Sequence, residues 1–235
     1  MGGTGDSNAE DKIGGPVIDG MTFYLPCSAA LCLEGTWRFL RLISGIPSRT
    51  PDIAKSLVSY LLLFDSRCRQ LVLCAGAIRS AAKLPNITTA HLALASQALS
   101  FLTAILPYIQ EFVQRQAHTS RLSADLGGEF DKVRRALQEH QDAIYQKLVE
   151  IMASRARLLS RKACETVWDQ ESSEDVRKYA KDLAKDTTKL SKVLNKYLPN
   201  EAVDLVMVPV FASYKDSFGD VFREVDLHTE TGRDW

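Results

Sequence analysis

One apolar seam constrains the fold more than any other feature of this 235-residue chain. Between residues 53 and 78, apolar side chains recur at alternating spacings of four and three. The seven residues of this seam are Leu57, Leu61, Phe64, Cys68, Leu71, Ala75 and Ile78. This period places them along one face of a single α-helix, which must pack against other helices. Thr50 can cap the start of that helix, and Pro51 suits its first turn.

The same period predicts five further helices, whereas strand alternation is scarce. They cover residues 27–43, 88–112, 129–166, 173–197 and 201–222. Proline is expected to kink the second of these at Pro107 and to interrupt the last near Pro209. Gly127 and Gly128 are expected to separate the longest helix from a preceding turn. About six helices with short turns predict an all-α fold, an elongated antiparallel helical bundle.

Two terminal segments are set apart from the helical region by composition. Residues 1–20 contain six of the 13 glycines and almost no large apolar side chain. Such a segment buries too little surface to offset the entropy lost on ordering. The sequence therefore predicts a disordered tail over residues 1–20, one helical domain over 21–225, and a flexible tail over 226–235.

Charge and cysteine content narrow the class of protein. Twenty-nine basic residues balance 29 acidic ones, which argues against nucleic acid held by overall charge. Five scattered cysteines do not form a disulfide framework and favour a reducing compartment. No apolar run reaches the length of a transmembrane helix, and no signal peptide opens the chain. We expect a soluble intracellular or peripheral protein.

Motifs for catalysis, metals and cofactors are missing from the sequence. The four histidines include no HExxH pair, no cysteine pair has zinc-knuckle spacing, and no GxSxG motif occurs. Gly2-Gly-Thr-Gly5 resembles a phosphate loop in composition only, because no strand precedes it. His91 and His140 are better explained as packed or surface imidazoles than as ligands. We predict a protein that is not an enzyme and holds no metal or cofactor.

Six lysines form the sharpest candidate site, on the helix predicted at 173–197. Their spacings of three and four place the ammonium groups in one stripe along that helix. The stripe comprises Lys178, Lys181, Lys185, Lys189, Lys192 and Lys196. Such a surface could bind anionic lipid or an acidic partner. The alternative is a solvated face with Asp182 as a local counter-charge, and the same two interpretations apply to a second basic cluster, Arg155, Arg157, Arg161 and Lys162.

Matched segments along most of the chain resemble a known family. The first is Phe64-Asp-Ser-Arg-Cys-Arg-Gln-Leu-Val-Leu-Cys-Ala-Gly-Ala-Ile78. It is similar to the pattern Phe-x-Ser-Arg-x-x-Gln-Leu-Val-Leu-x-Ala-Gly-Ala-Leu in the C-terminal domain of the Vps54 family of vacuolar protein sorting subunits. Further matches, in the same order, are Ile87-Thr-Thr-Ala-His-Leu-Ala-Leu-Ala-Ser-Gln97, Pro107-Tyr-Ile109, Glu129-Phe-Asp131, His140, Lys147-Leu-Val-Glu-Ile-Met152, Tyr197-Leu-Pro-Asn-Glu201 and Phe211-Ala-Ser-Tyr-Lys215. Cys74 stands where the family has glycine, and Pro209 falls in a helix that the family continues.

The resemblance implies a role in membrane traffic. Family members belong to the Golgi-associated retrograde protein (GARP) complex, which tethers endosome-derived vesicles at the trans-Golgi network and promotes SNARE-dependent fusion. Their fold is the helical rod of multisubunit tethering proteins. Other GARP subunits and SNAREs bind mainly N-terminal regions, and the C-terminal domain is linked to endosomal membranes or a receptor there. The resemblance implies a peripheral protein on the cytoplasmic face of the trans-Golgi network and endosomes. The alternative is a structural helical extension without a ligand of its own.

Overall fold

The computed structural model describes residues 15–73, 88–117, 120–164 and 174–224. Within these ranges the chain forms six α-helices, which confirms the predicted all-α bundle. The helices are α1 (Cys27–Gly45), α2 (Thr50–Leu73), α3 (Thr89–Gln116), α4 (Ser120–Cys164), α5 (Glu174–Tyr197) and α6 (Asn200–Glu224). A short 3₁₀ turn, Pro47–Arg49, links α1 to α2.

Two predicted breaks are wrong, because both fall inside continuous helices. Helix α4 runs through Gly127 and Gly128, with Leu126 and Phe130 buried on either side. Burial of these side chains outweighs the cost of about 1 kcal/mol for each helical glycine. Helix α6 runs through Pro209. The carbonyl freed by this proline belongs to Leu205, an exposed residue, so water can satisfy it.

A small hairpin precedes the helices, where part of a disordered tail was predicted. Strands β1 (Val17–Ile18) and β2 (Met21–Thr22) pair antiparallel. The turn between them places both Asp19 and Gly20 at positive φ, as a type I′ turn requires. Phe23 then anchors the hairpin by packing edge-on against Phe101 of α3, with ring centroids 5.5 Å apart. Residues 1–14 and 226–235, which make up the rest of the predicted tails, lie outside the described residues.

Helices α3 and α4 run antiparallel, as side-chain contacts between them show. Ser96 of α3 meets Tyr145 of α4, and Ser100 meets Gln141, so numbers rise along one helix as they fall along the other. Helix α4 is the central element, because it packs against α2, α3, α5 and α6. The main core therefore forms around α4. Its largest fully buried side chains include Phe101, Phe130, Leu57, Leu99, Leu137, Ile144 and Leu148.

On α2 and α4 the predicted apolar seam holds for only part of the helix. On α2, Leu57 and Leu61 are buried as expected, but Leu71 is 52% exposed. On α4, the predicted seam is buried as far as Leu148. Beyond it the predicted Ile151 and Leu158 are exposed. Met152, Ala156 and Leu159 are buried instead, because α5 and α6 cover this end of α4 from another side.

Within the described ranges, one helix, α3, is long and apolar enough to cross a membrane. Most of its apolar stretch is buried against other helices of the bundle. Leu92, Leu99, Leu102 and Ile109 all contribute to the main core. Its apolar character therefore matches that of a central helix in a packed bundle.

Candidate docking surface

Three contacts fix the rotation of α5, the helix that carries the lysine stripe. Leu190 and Leu194 are fully buried in the main core. Asp186 accepts a hydrogen bond from Arg155 of α4 at 3.0 Å, with both side chains partly exposed. Thr187 and Tyr214 of α6 share a hydrogen bond of 2.9 Å between their hydroxyl groups. These contacts turn the opposite face of α5 toward solvent.

The lysine stripe occupies that solvent-facing side. All five of its members with described side chains are exposed: Lys181, Lys185, Lys189, Lys192 and Lys196. The ammonium group of Lys196 lies over the ring of Tyr197, 5.0 Å from its centroid. Lys178 lies on the same helix, but its side chain is outside the described set. The structure thus brings at least five of the predicted cations to one surface.

Nearby acidic residues neutralise little of the positive charge on these lysines. Across the described parts of the chain, Lys181, Lys185, Lys189 and Lys192 form no ion pair within 4.0 Å. Asp186, which could neutralise a neighbouring lysine, instead pairs with Arg155. The stripe therefore presents positive charge that an anionic ligand could neutralise.

The second predicted basic cluster does not form one patch. Arg155 points toward α5, where it pairs with Asp186. Arg157 donates to Ser154 on its own helix, at 3.3 Å. Arg161 and Lys162 are exposed one turn further on. Because α5 captures Arg155, this group is a weaker candidate than the stripe.

Depressions lie on both sides of the stripe. Lys192 lines a groove of about 1070 Å³ between α5 and α6. Lys189 lines a smaller depression of about 450 Å³ that it shares with Arg155 and Leu158 of α4. The stripe is therefore the crest of α5, with concave surfaces beside it.

A buried polar layer was missed in the sequence. Asp65 of α2 lies among seam residues, and its Oδ1 is 2.7 Å from Nδ1 of His140 on α4. Next to it, Gln141 donates to Ser100 at 2.6 Å and to the hydroxyl of Tyr145 at 3.0 Å. The sequence did carry a signal for this pair: Asp65 follows Leu61 by four residues, so an acidic side chain falls on the apolar face of α2 and needs a buried polar partner.

The other candidate ligands and nucleophiles have structural roles. His91 completes the capping box of α3: Nδ1 accepts from the Thr88 backbone N–H, and the His91 N–H donates to Thr88 Oγ1. Burial raises the pKa of the Cys32 and Cys68 thiols to about 11, so both stay protonated at neutral pH. Within the described ranges, no group of three or more His, Cys, Asp or Glu side chains could hold a metal ion.

Comparison with known proteins assigns the family. A family model described as Vps54-like protein matches residues 20–155, which is more than half of the chain. The chain belongs to the Vps54-like family. No solved structure matches it.

Relatives named for vacuolar protein sorting extend this Vps54-like match. Vacuolar protein sorting-associated protein 54 of Rattus norvegicus is 30% identical over 200 residues, covering 85% of this chain and 20% of the relative. The chloroplastic Arabidopsis thaliana protein of that name is 27% identical, over 82% of this chain and 19% of its own. The Schizosaccharomyces pombe protein is 26% identical, over 76% and 18%. This chain therefore spans about a fifth of the length of the curated Vps54 relatives.

The relatives reach further along the chain than the family model does. A match of 200 residues within 235 must include residues 36–200. The Rattus norvegicus match therefore takes in α5 and its lysine stripe, although the Vps54-like model ends within α4.

Proposed function

We propose that this chain is a non-enzymatic docking module of a vesicle-tethering subunit. It acts in retrograde transport from endosomes to the trans-Golgi network, on the cytoplasmic face of these membranes. In this proposal the other GARP subunits and SNAREs bind regions of the subunit outside this chain. Membership of the Vps54-like family supports the tethering role, and the relatives' names support a role in protein sorting.

The lysine stripe supports docking on an anionic membrane. Four exposed lysines, Lys181, Lys185, Lys189 and Lys192, stand on one crest without an ion pair among the described residues. A lysine near an anionic membrane contributes about 1 kcal/mol of binding free energy. The stripe alone therefore gives weak attachment, and it becomes strong when other parts of a tethering complex bind the same membrane.

Vesicle flotation of the full 235-residue chain tests this proposal. Neutral phosphatidylcholine vesicles are compared with vesicles containing phosphoinositides, at low and at physiological salt. The test variant carries Lys185→Glu, Lys189→Glu and Lys192→Glu. The matched control carries Lys55→Glu, Lys147→Glu and Lys215→Glu, three exposed lysines on α2, α4 and α6. Both variants change net charge equally, so any difference reflects the position of the charge.

We expect flotation with anionic vesicles only, a decrease with salt because surface charges are screened, and loss in the stripe variant alone. An equal loss of flotation in both triple variants would show that net charge alone causes binding, which would contradict a specific docking surface. If the wild-type chain does not float under any condition, the proposal is wrong, and the structural extension without a ligand becomes the better account.

A further inference from the structure

The groove between α5 and α6 is an open apolar surface. Both helices pack more closely against α4 than against each other, which leaves a gap along their outer sides. The gap has a volume of about 1070 Å³. Apolar and aromatic side chains from both helices line it, namely Leu183, Val203, Met207, Phe211, Tyr214 and Phe218. Phe211 is 54% exposed, so no other residue within the described ranges covers this large aromatic side chain completely.

Short side chains on the α5 wall of the groove allow another helix to pack closely against it. They are Ala180, Ala184, Thr188 and Ser191, which follow one another along α5. The lining residues extend from Ala180 to Asn195, a length of about 22 Å or four helical turns. Short side chains let the backbone of a second helix come close, as they do in tightly packed helix pairs. The groove therefore has the length and width for one helix.

The two edges of the groove differ in charge: the α5 edge carries Lys192, and the α6 edge carries Asp204. Lys192 lines the groove, and Lys181 and Lys185 of the stripe share its side of α5. Asp204 is the acidic residue among the lining side chains, near the end where α5 turns into α6. A ligand in this groove would meet apolar groups at the floor and ammonium groups along one edge.

We infer that this groove binds an acidic amphipathic helix of a partner protein. The apolar face of that helix would cover Phe211, Met207 and Leu183, and its Asp or Glu residues would lie beside Lys185 and Lys192. Helix-in-groove binding of this kind uses apolar anchors spaced three and four residues apart. The inference goes beyond the proposed membrane docking. A flat membrane can reach the exposed lysine crest of α5 but cannot reach the floor of a concave groove.

Binding of designed peptides to the full chain tests the inference by fluorescence anisotropy. The probe is a labelled helical peptide of about 16 residues, with leucines on one face and glutamates flanking it. A second peptide replaces each glutamate with lysine, and a third scrambles the order so that no apolar face forms. We expect the acidic amphipathic peptide to bind most tightly, and the scrambled and basic peptides to bind about tenfold more weakly or worse.

Matched variants locate the site. Phe211→Asp should weaken the acidic peptide about tenfold, whereas Leu205→Asp should not, although Leu205 is similarly exposed at 63% on the same helix. Lys192→Glu should also weaken the acidic peptide and should improve binding of the basic one. Neither aspartate variant should change vesicle flotation, so failure here is distinguishable from failure of the proposed function.

Three outcomes would overturn the inference. The first is equal binding of the acidic and scrambled peptides. The second is a dimer, detected by sedimentation, that Phe211→Asp dissociates. This result would mean that a second copy of the chain occupies the groove. The third is a gain in peptide affinity when the chain is shortened after Glu224. This result would mean that residues 225–235 compete with the peptide for the groove.

Discussion

Asp65 and His140 form a buried polar pair that joins α2 to the central helix α4, with 2.7 Å between Oδ1 and Nδ1. The side chains are almost completely buried, at 8% and 0% exposure. Nε2 of His140 has no hydrogen-bond partner in the described parts of the chain. A polar pair in an apolar core gives one helix register a contact that neighbouring registers lack.

Replacing Asp65 with alanine tests that contact. Asp65→Ala leaves the His140 imidazole buried without a partner, so we expect a loss of about 1–3 kcal/mol in the free energy of unfolding. The double variant Asp65→Leu/His140→Leu should recover part of that loss, because no polar group remains unsatisfied. Urea unfolding of the wild type, Asp65→Leu, His140→Leu and the double variant measures the coupling. Additive effects of the single changes would show that the pair contributes nothing as a pair.

Two leucines of one predicted seam should respond differently to the same substitution. Leu61 is 2% exposed and Leu71 is 52% exposed, although both lie on α2. Leu61→Asp places an unpaired charge in the core and should cost several kcal/mol, whereas Leu71→Asp should change stability by about 0.5 kcal/mol or less. Thermal and urea unfolding report the difference. Similar losses in the two variants would contradict the described packing of α2.

Two glycines inside helices should respond to alanine in opposite directions. A Cβ added at Gly128 meets nothing within 4 Å, so Gly128→Ala should stabilise α4 by about 1 kcal/mol. A Cβ at Gly35 of α1 would clash with the Tyr60 hydroxyl of α2, so Gly35→Ala must displace that ring. We expect a loss of about 1 kcal/mol there. Calorimetric melting of the two variants checks both signs.

Two desolvated thiols, one buried and one partly buried, should make the chain less stable at high pH. Desolvation raises the pKa of Cys32 and of Cys68 from the ordinary 9.0 to about 11. The unfolded chain therefore releases protons that the folded chain keeps, so stability is unaffected below about pH 9 and falls between about pH 9 and 11. Urea unfolding across this range should show a shallower fall in Cys32→Ala/Cys68→Ala. Parallel pH profiles would mean that these thiols are not buried as described.

Local periodicity predicted the helices, because each pattern is contained within one segment. The start of α2 near Thr50 and the exposed lysines of α5 both follow from patterns along the chain, although Thr50 is the first helical residue and not the predicted cap. Family resemblance was also readable from Phe64–Ile78 and the segments after it, and the comparisons confirm it. These features need no knowledge of which helices meet.

Tertiary context decided what the sequence could not. Leu159 is buried and the predicted Leu158 is exposed because α5 and α6 cover that end of α4 from another side. No pattern within α4 reveals this arrangement. The Asp65–His140 pair joins residues 75 positions apart. The groove beside Phe211 exists because α5 and α6 separate along α4, a relationship among three helices.

The two hydrophobic clusters give the ends of the bundle unequal resistance to opening. Among the described residues, the second cluster buries only Leu159, Ala163 and Val221, with Leu183 and Phe218 packed against them. Regions with few buried contacts open at a lower free-energy cost than the main core. The α5–α6 groove ends over this small cluster, at Phe218. We therefore expect the groove to open at its Phe218 end at a lower free-energy cost than the core near Leu148, so that end can accommodate a bulky side chain.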